Sequence, residues 1–265
     1  MIFWIKIFLL QYTPRFIWLF LRKPKRLVEY YFVLFFKKER NQDISEVFCP
    51  ICKTQSSFFL SIGKRQNALC PICGSRERHR LLWLLLVRDF KLANTKYKVL
   101  HIAPFDGLNK NIRQLKNIEY CAASKKERAY SYQENLLNVD LTNLLFEDSV
   151  FDIVISVHIL EHIEEDALAL KEIVRVLNVN GTALLMVPQS GRMETYEGLH
   201  STSPRKRKNA YGQWDHVRLY GKDFKSRLMR IGFKVEEKII AKDFSAQERL
   251  KYGLTDESIF ICKKT

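Results

Sequence analysis

The sequence predicts a doubly wound α/β domain, preceded by a small cysteine-rich module and by hydrophobic helices at the N-terminus. Three observations carry that reading. From Tyr97 onward, short apolar runs alternate with amphipathic stretches. Four of the six cysteines form a repeated Cys-Pro-Ile-Cys. The first 48 residues hold bulky apolar runs broken by cationic clusters. A length of 265 residues suits one large domain plus a small module. With 47% hydrophobic and 28% charged residues, the chain is neither disordered nor collagen-like. Lys and Arg number 44 against 29 Asp and Glu, a net charge of +15 that favours an anionic partner: nucleic acid, a phospholipid surface or a phosphorylated substrate.

Residues 1–43 are expected to form a hydrophobic and basic helical segment. Ile2 to Leu21 holds 15 apolar residues in 20, and Leu27 to Phe36 holds 9 in 10. A spanning helix needs about 20 apolar residues. Lys6, Gln11, Pro14 and Arg15 interrupt the first stretch, and the second is too short. The apolar run Ile7 to Leu10 is also too short for a secretory signal. Arg22, Lys23, Lys25 and Arg26 separate the stretches, and Lys37, Lys38 and Arg40 follow them. Cationic clusters beside bulky apolar residues suit helices lying in an anionic membrane interface, peripheral on the inner face of the cell membrane. The alternative is that the helices cover a hydrophobic face of the domain.

Residues 44–80 read as a zinc ribbon. Cys49-Pro50-Ile51-Cys52 recurs as Cys70-Pro71-Ile72-Cys73-Gly74, with 17 residues between the pairs. That is the spacing of a tetrahedral zinc site with four cysteine ligands. Two cysteines three apart on a tight turn aim both sulfurs at one ion, and Gly74 permits a left-handed exit. With all four positions filled by protein, zinc is expected to be structural, and free thiols place the chain in the reducing cytoplasm. Cys121 and Cys262 lack a partner motif and read as small buried residues. The basic run Ser75 to Arg80 that follows would bind phosphate or link the ribbon to the domain. Residues 81–96 read as a linking helix.

Residues 97–265 supply the α/β pattern. Lys98 to Ala103, Ile118 to Ala123, Phe151 to Val157 and Thr182 to Val187 read as buried strands. Asn109 to Leu115, Glu161 to Leu177 and Lys222 to Ile231 read as helices. Phe233 to Ile240 and Ser258 to Cys262 close the series as an antiparallel hairpin. In such sheets ligands lie beyond the carboxyl ends of the strands, which gathers the loops after Ala103, Ala123, Val139 and Val157.

At those loops a resemblance emerges. Asp152 to Val157 with His158-Ile159-Leu160-Glu161-His162-Ile163 resembles the fourth motif of class I S-adenosylmethionine-dependent methyltransferases. Glu172 to Leu177 and Asn180-Gly181-Thr182 resemble the helix and turn that follow it, and Val139-Asp140-Leu141 resembles the step where an Asp meets the adenine. The narrower resemblance is to methyltransferase type 11-like proteins with an N-terminal zinc ribbon, which share the Cys pairs, the Arg78-His79-Arg80 step and the block Gly212 to Gly221. It implies a Rossmann-like seven-stranded sheet and an S-adenosylmethionine site built from Ala103, Pro104, Ser124, Asp140, Leu141 and His158. The chain departs from the family at two points. Its first loop, Ala103-Pro104-Phe105-Asp106-Gly107, has one late glycine, and Ser124 stands near where an acidic residue usually binds the ribose.

For chemistry, His158 and His162 are four apart at an expected helix start and would share one face. Asp215-His216 reads as the acid–base pair, with Asp215 holding the imidazole tautomer and His216 taking a proton from the acceptor. Arg218 and Tyr220 would clamp an anionic or sugar group or close the loop through a salt bridge, and Ser203 to Lys208 reads as a basic surface loop. The expected activity is methyl transfer to a hydroxyl or carboxyl of a small-molecule, glycan-type or envelope-associated acceptor. RNA methylation aided by the ribbon is the first alternative, and a non-catalytic binding protein that keeps the fold is the second.

Overall fold

The computed structural model describes residues 24–39, 46–125, 136–198 and 203–264. The stretch Ile2 to Leu21 lies outside the described residues. The chain forms two compact units, residues 1–83 with 244–255 and residues 84–243 with 256–265.

The first unit holds helix α1 (Pro24–Glu39), strands β1 (Val47–Cys49) and β2 (Thr54–Ser56), strands β3 (Leu60–Ile62) and β4 (Arg65–Leu69), and helix α7 (Ala246–Tyr252). β1 pairs with β2 and β3 with β4, both antiparallel. Among the described residues, no helix is long and apolar enough to cross a membrane. Part of the second apolar stretch has a packing role: Leu27 and Tyr30 of α1 are buried, and Tyr30 clusters with Phe58 and Leu60. The Tyr30 hydroxyl accepts the Ser57 N–H at 3.0 Å.

Arg80, on helix α2 (Glu77–Arg88), is fully buried in this unit. The phosphate role open to the 75–80 run therefore does not extend to it. All five of its N–H bonds go to backbone carbonyls. Nε donates to Tyr252 at 2.7 Å, Nη1 to Ser75 at 2.9 and Ala68 at 3.2 Å, and Nη2 to Gly253 at 2.8 and Asn67 at 3.1 Å. Its guanidinium lies 4.0 Å from the Phe59 ring centroid.

The second unit is built on a seven-stranded sheet. Its strands are β5 (Tyr97–Ile102), β6 (Ile118–Ser124), β7 (Leu137–Asn138), β8 (Phe151–Val157), β9 (Leu177–Met186), β10 (Phe233–Lys238) and β11 (Ile259–Lys264). The order is β10-β11-β9-β8-β5-β6-β7, with β11 antiparallel to both neighbours and the other pairings parallel. Helices α3 (Asp106–Arg113), α4 (Asp166–Val176), α5 (Pro204–Tyr211) and α6 (Phe224–Arg230) complete it. This is the expected doubly wound Rossmann-like sheet. Its β5 and β8 are buried almost throughout because helices cover both faces, so their sequences read as continuous apolar runs.

Three local expectations are corrected. The helix drawn from Glu161 begins at Asp166, preceded by a single 3-10 turn, Leu160–His162. The final strands pair as expected, but a 3-10 turn (Ile240–Asp243) and α7 intervene between them. The basic loop at 203–208 is the start of α5, with Pro204 in its first turn, where the missing N–H costs nothing.

Candidate functional site

The four ribbon cysteines come together. Cys49 Sγ lies 3.7 Å from Cys73 Sγ, Cys52 Sγ lies 3.8 Å from Cys70 Sγ, and all four sulfurs are within 4.8 Å of one another. A tetrahedron with metal–sulfur bonds of about 2.3 Å has edges of about 3.8 Å, so the cluster is compatible with zinc. The two knuckles are built alike. Lys53 N–H donates to the Cys49 carbonyl at 2.8 Å, and Gly74 N–H to the Cys70 carbonyl at 2.9 Å. Lys53 and Gly74 both take positive φ, at 55° and 75°, so the left-handed exit expected at Gly74 recurs at Lys53. Gly74 has a second reason to lack a side chain: a Cβ there would meet the Arg26 guanidinium.

In the second unit, the strand order places the carboxyl ends of β6, β5 and β8 side by side. Ala103 follows β5 in the left-handed region, φ 43°, the conformation that glycine favours at such a loop. Its N–H donates to the Ala123 carbonyl at 2.7 Å. Pro104 is buried and Ala103 exposed. Ser124 ends β6, and its carbonyl accepts the Val139 N–H at 3.3 Å. That bond carries the chain to Asp140 and buried Leu141. Asp140 Oδ1 accepts from Thr142 N at 3.0 Å and Thr142 Oγ1 at 2.7 Å, and Oδ2 accepts from Lys125 at 2.9 Å. The Lys125 ammonium, then the Thr142 hydroxyl and N–H, pull the carboxyl down to about 2, so it is ionised at neutral pH. Oδ2 keeps capacity for one further donor, as an adenine amine requires. The strand order thus brings Ala103, Ser124 and Asp140 to the same edge of the sheet. Ser124→Asp should tighten S-adenosylmethionine binding roughly tenfold by calorimetry, because a charged hydrogen bond contributes about 1.5–3 kcal/mol. Unchanged or weaker binding would mean that Ser124 does not face the ribose.

Beyond β8 lies a second cluster. His158 adopts φ 55°, which turns the chain sharply into the 3-10 turn. His158 and His162 therefore do not share a helix face as expected. His158 Nε2 lies 2.6 Å from Glu257 Oε1, and its Nδ1 lies 3.3 Å from Glu161 Oε1. The segment 215–221 is laced onto this turn. Val217 N–H donates to the Glu161 carbonyl at 2.9 Å, Arg218 to the carbonyls of Leu160, Ile163 and Glu164, and the Tyr220 hydroxyl to buried Asp166 at 2.7 Å. Arg218 and Tyr220 thus hold the loop closed, one of the two roles that the sequence left open.

That lacing brings His216 against the turn, with its ring 4.7 Å from that of His162 and its Nε2 4.0 Å from Glu161 Oε1. The expected Asp215–His216 pairing is corrected. His216 Nδ1 donates to the Tyr211 carbonyl at 3.1 Å, while Asp215 Oδ2 lies 3.3 Å from His162 Nδ1. Asp215 ends a turn and His216 follows it, so the two side chains reach different partners. Burial lowers the His216 pKa, which keeps the ring neutral at physiological pH. Glu161, which carried no role in the sequence reading, is fully buried, and neither carboxylate oxygen accepts a hydrogen bond. The signal available in the sequence was its place within His158-x-x-Glu161-His162.

Residues 103–185 match the methyltransferase domain family. No curated protein matches the chain. Among solved structures, an S-adenosylmethionine-dependent methyltransferase from Archaeoglobus fulgidus is 16% identical, with a TM-score of 0.49, over 72% of this chain and 95% of its own. A second, from Mesorhizobium loti, is 13% identical with a TM-score of 0.47, over 70% and 100%. A chain from the complex between the Haloferax volcanii Trm112 methyltransferase activator and a methyltransferase is 17% identical with a TM-score of 0.45, over 71% and 92%. The second unit thus carries a methyltransferase domain over residues 103–185.

Proposed function

We propose that the chain methylates a hydroxyl oxygen of a small-molecule or glycan-type acceptor, and that the acceptor oxygen docks at the Glu161–His162–His216 cluster beyond β8. The observation that carries this reading is the buried Glu161 carboxylate, free of hydrogen bonds and flanked by imidazoles at the end of the strand next to the cofactor crevice. S-adenosylmethionine, held at Ala103, Ser124 and Asp140, would supply an electrophilic methyl group on a sulfonium. The protein's part is to position the acceptor in line and to receive charge or a proton from its O–H. His162 is placed beside the Glu161 carboxylate: Asp215 lies 3.3 Å from the His162 Nδ1, and the imidazole is partly exposed. His158 lies beside it, held by Glu257.

His162→Ala is expected to lower turnover about a hundredfold or more while S-adenosylmethionine affinity stays within twofold, the pattern of a group that acts on the reacting oxygen. An equal loss of cofactor affinity would assign His162 to the cofactor pocket. The four ribbon cysteines are proposed to hold one structural zinc. Attachment to an anionic membrane surface is proposed for residues 2–21, since the described face of α1 packs within its own unit.

A further inference from the structure

We infer that Glu161, His162 and His216 form a binding site for a divalent first-row transition-metal ion, separate from the cysteine cluster and placed to take the acceptor oxygen as a further ligand. One ligand atom from each of these three side chains lies within 4.8 Å of the other two. The inference deepens the proposed function and rests on it for the role of the ion, though not for its binding.

The donor set is the first argument. Two imidazoles and a carboxylate suit zinc, iron(II), cobalt or manganese, and they leave coordination positions open. The second argument is how the imidazoles are held. A ligating histidine commonly donates its far N–H to a carbonyl or carboxylate, which fixes the tautomer and turns the near nitrogen's lone pair to the ion. Both histidines have that arrangement. His216 Nδ1 donates to the Tyr211 carbonyl at 3.1 Å, leaving Nε2 toward Glu161. His162 Nδ1 faces Asp215 at 3.3 Å, leaving Nε2 as its donor atom.

The third argument is Glu161. Burying a carboxylate with no hydrogen bond is costly, and native proteins seldom leave such a group bare. Its Oε1 has only imidazole nitrogens nearby, His158 Nδ1 at 3.3 Å and His216 Nε2 at 4.0 Å. A divalent cation satisfies the carboxylate and engages both imidazoles. An ion there would lower the pKa of a coordinated hydroxyl, as metals do for bound water.

The experiment is a titration of the full-length chain, as purified with its ribbon metal, with Co2+. Uptake is followed by absorption and by the midpoint of thermal unfolding. The wild type is expected to take up one equivalent with weak d–d bands, no thiolate charge-transfer band and a raised midpoint. Glu161→Gln keeps the shape of the side chain and is expected to lose at least tenfold in cobalt affinity, together with the midpoint shift. Should Glu161→Gln not fold, His162→Gln at the partly exposed position is expected to show the same loss. No saturable uptake by the wild type, uptake that brings thiolate bands alone, or uptake unchanged in both variants would overturn the site. Cobalt bound with no methyl transfer to any hydroxyl would leave the metal site standing and sink the acceptor reading. Methyl transfer that depends on His162 but with no cobalt bound would do the reverse.

Discussion

Cys52→Ser is expected to empty the cysteine cluster and unfold the ribbon around it. The wild type should carry one tightly held zinc per chain in the ribbon, because sulfurs 3.7 and 3.8 Å apart match the edge of a zinc–thiolate tetrahedron. The strands around the cluster are three to five residues long, too short to be stable alone. Their fold is then expected to depend largely on a bound metal, whose apparent contribution in small zinc modules is about 10–16 kcal/mol. Replacing one thiolate by a hydroxyl removes a ligand and leaves three mutually repelling sulfurs around a weaker site. Metal analysis should fall from about one equivalent in the ribbon to near zero, and proteolysis should cut within 46–75 while the sheet unit persists. A wild-type ribbon that holds less than half an equivalent without chelator exposure would refute the zinc assignment.

The elements legible in the sequence were those with local signals. The paired Cys-Pro-Ile-Cys motifs carried the ribbon, and the continuous apolar run Phe151 to Val157 carried the central strand, since burial on both faces leaves no room for polar alternation. The doubly wound order followed from alternation of type. What stayed hidden depended on partners distant in sequence. Asp215 and His216 are neighbours in the chain, yet the fold gives Asp215 to His162 and His216 to a carbonyl five residues back. Glu161 reads as a surface helix residue until the 3-10 turn and the 215–221 segment close over it. Leu27 and Tyr30 look alike whether they meet lipid or protein, and only the placement of Phe58 and Leu60 decides between the two for Tyr30. Arg80 was the least legible: in a basic run it reads as solvated, and its five acceptors lie as far as 173 residues away.

Arg80→Lys, conservative in charge, is expected to destabilise the first unit nearly as much as Arg80→Ala. Every guanidinium N–H is spent on a carbonyl, of residues 67, 68, 75, 252 and 253, inside a fully buried site. Lysine has three donors from a single point and no planar face for the Phe59 ring 4.0 Å away. At least two carbonyls would lose their partner, each costing about 1–3 kcal/mol when buried. Gly253 cannot adjust to compensate, because it caps α7 at φ 57° and a Cβ there would meet Phe59 and the guanidinium itself. The guanidinium is the shared donor to both the β4 end and the α7 end, so hydrogen-exchange protection should fall together at 67–75 and 246–255. A loss confined to one of these segments would show that they are held independently. A variant that unfolds at the wild-type denaturant midpoint would show that water replaces all five bonds without cost.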